Sequence, residues 1–189
     1  MEYDVSFIAE QSLKAKLMNI PETYDYLVRA RRDLWATLEA TPDEVLSGPL
    51  LNGALLHCIK DLLFHISVVE DCWLHEDILR GQPVIETVAA FRNTPRWKPV
   101  YAGFPLETLL NYGRLVERST LTYLAHLTDG ESKRIVVVHD APEERYTVDG
   151  LLWHVMIHEM RHSAQIAVLL RTQGIEPPWL DLKKYLPFA

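Results

Sequence analysis

Apolar residues recur at helical intervals in four long stretches of the sequence, which are separated by segments containing proline or glycine. In the first stretch, Leu27, Ala30, Leu34 and Leu38 fall on one face of a helix. Proline suits the first turn of a helix and glycine its C-terminal cap, which sets approximate limits. The predicted helices run from about Pro21 to Ala40, from near Pro49 to Gly81, from near Pro105 to about Leu127, and from Thr147, as N-cap, to Gly174.

Shorter elements are predicted around these helices. "TPDE" at 41–44 indicates a short helical turn capped by Thr41. "RIVVVHD" at 134–140 is rich in β-branched residues and could pair with "ERYTV" at 144–148 as a hairpin. The closing "LDLKKYLPFA" is expected to pack across the bundle end. The pattern predicts an all-α fold, a four-helix bundle with a small β-hairpin insertion before the last long helix, forming a single domain over 1–189.

Composition narrows the class of protein. The chain has 189 residues, a net charge of −7 and 48% hydrophobic residues, which is typical of a globular domain. An acidic chain disfavours nucleic-acid binding, and the cluster of Arg29, Arg31 and Arg32 is interpreted as the solvated face of a helix. Cys58 and Cys72 lack the spacing of a zinc knuckle. Because no apolar run resembles a signal peptide or a membrane helix, we expect a cytoplasmic protein that binds no membrane.

The second predicted helix has a seam, a row of positions that faces a partner helix. Its members alternate at intervals of four and three: Leu51, Leu55, Cys58, Leu62, His65, Val69 and Cys72. His65 is the exception among apolar and thiol side chains, so it should face the bundle interior.

The fourth predicted helix has a similar seam, which contains two histidines. Its members are Leu151, Val155, His158, His162, Gln165 and Leu169. His158 and His162 differ by about 40° around the axis and about 6 Å along it, so their rings share a face. Together with His65, the seams place three imidazoles, the commonest metal-ligating side chains, toward the interior.

The alternative interpretation is that each histidine is a core residue satisfied by hydrogen bonds. For His65 alone that alternative is preferred, because one polar residue on an apolar stripe is common. For His158 and His162 the preference reverses. Two neutral imidazoles without partners would cost about 1–3 kcal/mol each, whereas one metal ion satisfies both. We therefore predict a metal site formed by His65, His158 and His162.

Several neighbouring residues have less definite predicted roles. His154 lies off the seam and is interpreted as an interfacial histidine, with a fourth ligand or a residue behind the ligands as alternatives. Asp61 either orients the ring of His65 or lies at the surface beside Lys60. Glu117 lies near the apolar stripe of the third helix and is expected at a solvated position, with a position facing the site as the alternative. The remaining histidines are assigned to no site: His57, His75, His126 and His139.

The segment "HEMRH" at 158–162 also matches the H-E-x-x-H pattern of zinc peptidases. In those enzymes the glutamate is the general base, and a third ligand follows on a later element. Here the downstream sequence has no further His, and its sole Glu is Glu176 beside prolines. Arg161 also interrupts the usual uncharged flanks, and helical geometry turns Glu159 away from the two histidines by about 60–100°. The peptidase interpretation is therefore weak.

Two segments resemble a known family. "HISVVEDCW" at 65–73 resembles the H-x4-E-x2-W region of the DinB/YfiT-like metalloenzymes, and "YTVDGLLWHVMIHEMRHSAQIAVLLRTQGIEPPWLDL" resembles their closing H-x3-H segment. The sequence departs at Ser163-Ala164, where many members carry Arg-Gly. The resemblance implies a four-helix bundle, commonly a homodimer, that holds a divalent metal through the positions of His65, His158 and His162. Members with assigned activities include thiol-dependent S-transferases and isomerases.

These observations together predict a metal-dependent enzyme acting on a small molecule. Three histidines leave open coordination positions on zinc or nickel, the preferred metals, with iron or manganese as alternatives. The first hypothesis is a thiol-dependent S-transferase that uses a low-molecular-weight thiol, and metal-assisted hydrolysis is second. Two further alternatives are a binding module without catalysis and a structural helical dimer whose histidines are core residues.

Overall fold

The computed structural model describes residues 19–50, 53, 55–98 and 101–186. Its helices are α1 (Ile20–Glu39), α2 (Asp43–Ser47), α3 (Ile59–Cys72), α4 (Leu106–Leu124), α5 (Asp129–Ser132) and α6 (Val148–Thr172), and its strands are β1 (Ile135–Val137) and β2 (Arg145–Thr147). A π-helical segment, Trp73–Ile78, continues α3. Short 3-10 turns lie at Val84–Thr87, Ala89–Phe91, Tyr101–Gly103 and Leu182–Tyr185.

The four long helices α1, α3, α4 and α6 form the predicted four-helix bundle. Helix α3 packs against α4 and α6, while α1 closes the bundle by packing on both α6 and α4. Among the described residues, no helix is long and apolar enough to cross a membrane.

Local sequence explains where two of the long helices begin. Asn19 and Glu22 form a capping box at the start of α1, with Pro21 in the first turn. The Thr147 side chain accepts a hydrogen bond of 3.0 Å from the Gly150 amide, which confirms it as the N-cap of α6. The hairpin is also confirmed, because β1 pairs antiparallel with β2 and Val136 lies opposite Tyr146.

The predicted start of the second helix near Pro49 is wrong. Helix α3 begins at Ile59, and Leu55, which was assigned to the seam, lies outside it with 70% of its surface exposed. Leu51 is outside the described residues. Gly53 has a φ of 76°, a left-handed conformation that an α-helix cannot contain. The Asp61 carboxylate then accepts a hydrogen bond from the His57 amide at the N-terminus of α3.

Three smaller boundary predictions also need correction. The second helix continues as a π-helix to Ile78, close to the predicted end, but the left-handed residue that follows it is Arg80, with a φ of 56°, rather than Gly81. Helix α4 ends at Leu124 rather than near Leu127. Thr41 does not cap α2, since its hydroxyl donates to the Thr37 carbonyl at 2.8 Å and so closes α1 instead.

In the closing segment, Tyr185 packs edge-on against Tyr26 of α1.

The core consists of two apolar clusters with a polar layer between them. One cluster includes Phe64, Tyr112 and Ile166, and the other includes Tyr24 and Met156. Each long helix contributes one charged residue to the polar layer, and all four are nearly inaccessible to solvent: Arg31, Glu70, Glu117 and Glu159. Along α6, His158 and His162 lie beside this polar layer, between the residues that the helix contributes to the two apolar clusters.

Candidate metal centre

Three histidines converge where α3 faces α6. The Nε2 atoms of His65 and His158 are 3.1 Å apart. The ring centroids of His158 and His162 are 4.4 Å apart, and those of His65 and His162 are 5.0 Å apart. One ligand atom from each of the three rings can be chosen so that all lie within 4.8 Å of one another. The two seams thus bring together the three side chains that periodicity selected.

The spacing of these nitrogens fits a single ion. Two nitrogens bound tetrahedrally at about 2.0–2.1 Å from zinc would be about 3.3 Å apart. The 3.1 Å between His65 and His158 is close to that value. Where the spacing approaches 4.8 Å, the rings must move closer together by about 1.5 Å to reach the same ion. The donor set of three imidazoles therefore suits a divalent transition metal such as zinc.

Burial keeps these imidazoles neutral. Desolvation, followed by the charge of neighbouring histidines and Arg161, lowers the pKa of His65 to about 4 and that of His158 to about 3. The pKa of His162 is also lowered, mainly by burial. A neutral ring has the free lone pair that metal binding requires.

The hydrogen bonds of His162 select the tautomer suited to a metal. Its Nδ1 lies 2.6 Å from the amide oxygen of Gln165, which can only accept a hydrogen bond, so Nδ1 carries the proton. The lone pair is then on Nε2, and the Arg161 guanidinium donates toward that atom at 3.4 Å. Gln165 therefore orients the ring from behind, as partners of metal-bound histidines commonly do.

Aromatic residues border the cluster. Trp97 meets the His65 ring edge-on at 6.5 Å between centroids and is 56% exposed, so this side opens to solvent. His154 packs edge-on against Trp73 at 5.5 Å, and its centroid is 6.1 Å from that of His158. It lies outside the close group of three, which agrees with its interpretation as an interfacial residue.

Neither prediction for Asp61 is correct. Its buried carboxylate accepts hydrogen bonds from the backbone amides of His57 and Tyr101, both at 3.1 Å, and so joins the start of α3 to a distant loop. Glu117, expected at a solvated position, is also buried, with its carboxylate 3.4 Å from Arg31 and 3.0 Å from Arg32.

The interpretation of Arg31 as a solvated residue is wrong as well. Its side chain is 5% exposed, and its guanidinium binds both oxygens of Glu159, at 2.8 and 2.6 Å. The same group contacts Glu70 at 2.8 Å. The sequence did indicate this burial. Leu27 lies one helical turn before Arg31 and Trp35 one turn after it, so Arg31 is on the apolar face of α1.

The contacts of Glu159 remove the structural basis of a peptidase mechanism. Both of its carboxylate oxygens are bound by Arg31 in the polar layer, on a different side of α6 from His158 and His162. Burial raises the pKa of Glu159, and Glu70 and Glu117 add to that effect. A general base must reach water held at the metal, whereas both oxygens of this carboxylate are hydrogen-bonded to Arg31.

A second histidine constellation, unnoticed in the sequence, joins α3 to α4. His75 lies 2.8 Å from Asp71 through Nδ1 and 2.8 Å from the Ser119 hydroxyl through Nε2. This is the bonding order of a serine hydrolase triad, yet such a nucleophile needs free backbone N–H groups as an oxyanion hole. Ser119 lies within α4, where those groups form intrahelical bonds. The constellation therefore serves as a structural connection.

Comparisons with known proteins agree with this architecture. Among solved structures, YfiT from Bacillus subtilis, described as a probable metal-dependent hydrolase with an unusual four-helix bundle topology, is similar in fold. The TM-score is 0.61 at 18% sequence identity, with 83% of this chain and 89% of that chain covered. No curated protein matches the sequence. The family model of the DinB family matches residues 11–189. The chain therefore belongs to the DinB family.

Proposed function

We propose that this protein is a divalent-metal-dependent enzyme acting on a small molecule, with His65, His158 and His162 as the metal ligands. The observation that carries the proposal is the convergence of three neutral imidazoles whose Nε2 atoms lack carboxylate partners among the described residues. Two of those atoms face each other at 3.1 Å. Among the described residues these Nε2 atoms contact one another and Arg161, and a metal ion would replace those contacts with a bond to each ring.

The donor set also bears on the metal. Imidazole suits zinc and nickel, whereas manganese favours oxygen donors. Among the described residues, no carboxylate forms a hydrogen bond or ion pair with the three rings, so zinc and nickel are the preferred metals. When bound, such an ion would supply Lewis-acid activation of a fourth ligand, either water or a thiol.

Thiol transfer is the first candidate reaction. Hydrolysis benefits from a general base beside the attacking water, and the obvious candidate, Glu159, is bound to Arg31. A thiol that loses its proton on binding the metal has less need of that base. Metal-assisted hydrolysis is the second candidate, which is supported by the description of YfiT as a probable metal-dependent hydrolase.

The first experiment is elemental analysis of protein purified without a histidine tag, followed by kinetics. We expect about one zinc or nickel ion per chain, and turnover of an electrophilic acceptor that depends on an added low-molecular-weight thiol. Turnover without thiol would favour the hydrolase. Stoichiometric metal without either activity would indicate a binding module.

Less than about half an equivalent of metal, with full stability in chelator, would overturn the proposal in favour of a structural bundle. His154→Ala is the matched control, because this exposed histidine lies on α6 one turn before His158 but outside the close group of three. It should retain both metal and activity. The homodimer implied by family resemblance stays a prediction, which light scattering can test.

A further inference from the structure

An arginine lies at the solvent side of the three-histidine cluster. Arg161 is exposed on α6, between the two ligand positions of that helix, and its Nη2 is 3.4 Å from the Nε2 of His162. Its positive charge acts on His65 and His158 as well as on His162. The guanidinium therefore lies on the side of His162 from which a metal and its ligand would be approached.

Arg161 has no acidic partner among the described residues. The acids nearest to the cluster in sequence are bound elsewhere: Arg31 binds Glu70 and Glu159, and two backbone amides bind Asp61. Some exposed arginines of the fold do pair with acids, as Arg114 does with Glu39. Apart from the long contact of its Nη2 with His162, the donors of Arg161 are thus available to a ligand.

Charge balance then defines what that ligand must be. Three neutral imidazoles leave the full charge of a divalent ion uncompensated, and the guanidinium adds a further positive charge. A partly desolvated site of this kind favours an anion, and guanidinium groups match the two oxygens of a carboxylate. Trp97 adds a flat apolar surface beside His65 against which a small organic body can pack.

We propose that Arg161 determines specificity by binding a carboxylate of the small molecule that occupies the open side of the three-histidine centre. The inference rests on the proposed function and names its substrate class as small molecules that carry a carboxylate close to the group that meets the metal. Arg161 acts as a binding residue, separate from the three metal ligands.

The test uses two thiols that differ in one group. Mercaptoacetate carries a carboxylate and 2-mercaptoethanol a neutral hydroxyl, and both are titrated into the cobalt-loaded protein at fixed ionic strength. Cobalt–thiolate absorption reports binding of either thiol. We expect wild type to bind mercaptoacetate about 10- to 100-fold more tightly than 2-mercaptoethanol, since a hydrogen-bonded charge pair contributes on that scale.

The variants are Arg161→Gln and, as a matched control on the same helix, Arg171→Gln. Arg161→Gln should lose most of the preference for mercaptoacetate, leave the affinity for 2-mercaptoethanol nearly unchanged and keep the cobalt content. Arg171→Gln should behave as wild type, because its side chain is exposed in the last turn of α6.

Equal affinities for the two thiols in wild type would overturn the inference. A preference that survives in Arg161→Gln would also overturn it, since the carboxylate would then be recognised without the guanidinium. Failure of the proposed function has a different signature, because cobalt would not bind at all before any thiol was added.

Discussion

Two buried polar regions meet on α6, and they differ in how their bonding capacity is met. In the polar layer, Arg31 donates to Glu159 and Glu70 at 2.6–2.8 Å, and Thr120 donates to Glu70 at 2.6 Å. In the histidine centre, His65 and His158 face each other with the same kind of atom. The layer pairs charges of opposite sign, whereas the centre groups three neutral imidazoles that could hold a metal ion.

The comparison teaches that burial of polar side chains does not by itself identify a functional site. Charges in a core persist when every one of them is paired and hydrogen-bonded, as around Arg31. Neutral imidazoles grouped around one point have no charge to pair, and their lone pairs are what a metal ion would bind. Adjacent residues of one helix, His158 and Glu159, thus belong to regions with different roles.

The largest expected effect is the loss of bound metal when histidines of the centre are replaced. The double variant His158→Ala/His162→Ala should lose stoichiometric metal while retaining its helical content, because it removes two of three ligands from one face of α6. Elemental analysis and circular dichroism provide the measurements. His154→Ala, with its ring against Trp73, should keep the metal. Retention of metal by the double variant would refute the assigned ligands.

Disrupting the polar layer should have the opposite outcome, in which the protein loses stability but keeps its metal. Arg31→Met should destabilise the protein by about 3–5 kcal/mol, since it leaves buried carboxylates unpaired. Metal content should not change, because Arg31 contacts none of the three ligand histidines among its hydrogen-bond partners. Urea unfolding measures the loss.

A matched variant, Arg171→Met, removes an exposed arginine from α6 and should cost less than about 1 kcal/mol. A loss of metal in Arg31→Met under conditions where it remains folded would show that the two regions are coupled and that the division between them is wrong.

The histidine centre could be found from the sequence because its geometry is local to two helices. His158 and His162 share a face by helical spacing alone, and His65 interrupts an otherwise apolar seam. The same periodicity placed Arg31 on the buried face of α1, yet its charge favoured a solvated interpretation, because arginine is rarely buried without a partner. Its partners lie on three other helices, and no spacing within α1 indicates them.

The start of α3 was unpredictable for a related reason. Residues 49–58 carry apolar side chains at intervals that suit a helix, but α3 begins after Cys58, which is its N-cap and accepts a hydrogen bond from the Asp61 amide. The side chain of Asp61 adds a contact from outside this segment. Its carboxylate binds the amides of His57 and Tyr101, and the second of these belongs to a segment 40 positions further along the chain. Contacts of that range are outside what a window of sequence can indicate.

A smaller effect is expected on the metal affinity of the histidine centre when the hydrogen-bond partner of His162 is replaced. Gln165→Leu should weaken metal binding about 10- to 100-fold, because the proton on Nδ1 of His162 loses the acceptor that fixes its tautomer. Competition with a chromophoric chelator measures the affinity. Gln165→Glu, which retains an acceptor oxygen, should remain near the wild-type value. Equal weakening in both variants would indicate that packing, rather than the tautomer, is responsible.

The smallest effect concerns His75, whose pKa shifts in the opposite direction to those of the three histidines in the candidate metal centre. Its hydrogen bond to Asp71 raises its pKa above the ordinary 6.5, whereas burial without an acid lowers the pKa of His65 and His158. A raised pKa in the folded state stabilises the protein below about pH 6.5, where the ring is charged in both states, and this contribution disappears as pH rises through the folded-state pKa. His75→Gln should therefore lower the free energy of unfolding more at about pH 5.5 than at about pH 8.5, by on the order of 1 kcal/mol or less for a partly solvated pair.

Urea unfolding of both proteins at the two pH values gives the difference, and Asp71 must stay intact because it also binds the amides of Val84 and Ile85. A pH-independent cost would mean that His75 is neutral in the folded protein, and the contrast between a histidine charged by its acid and three kept neutral by burial would then fail.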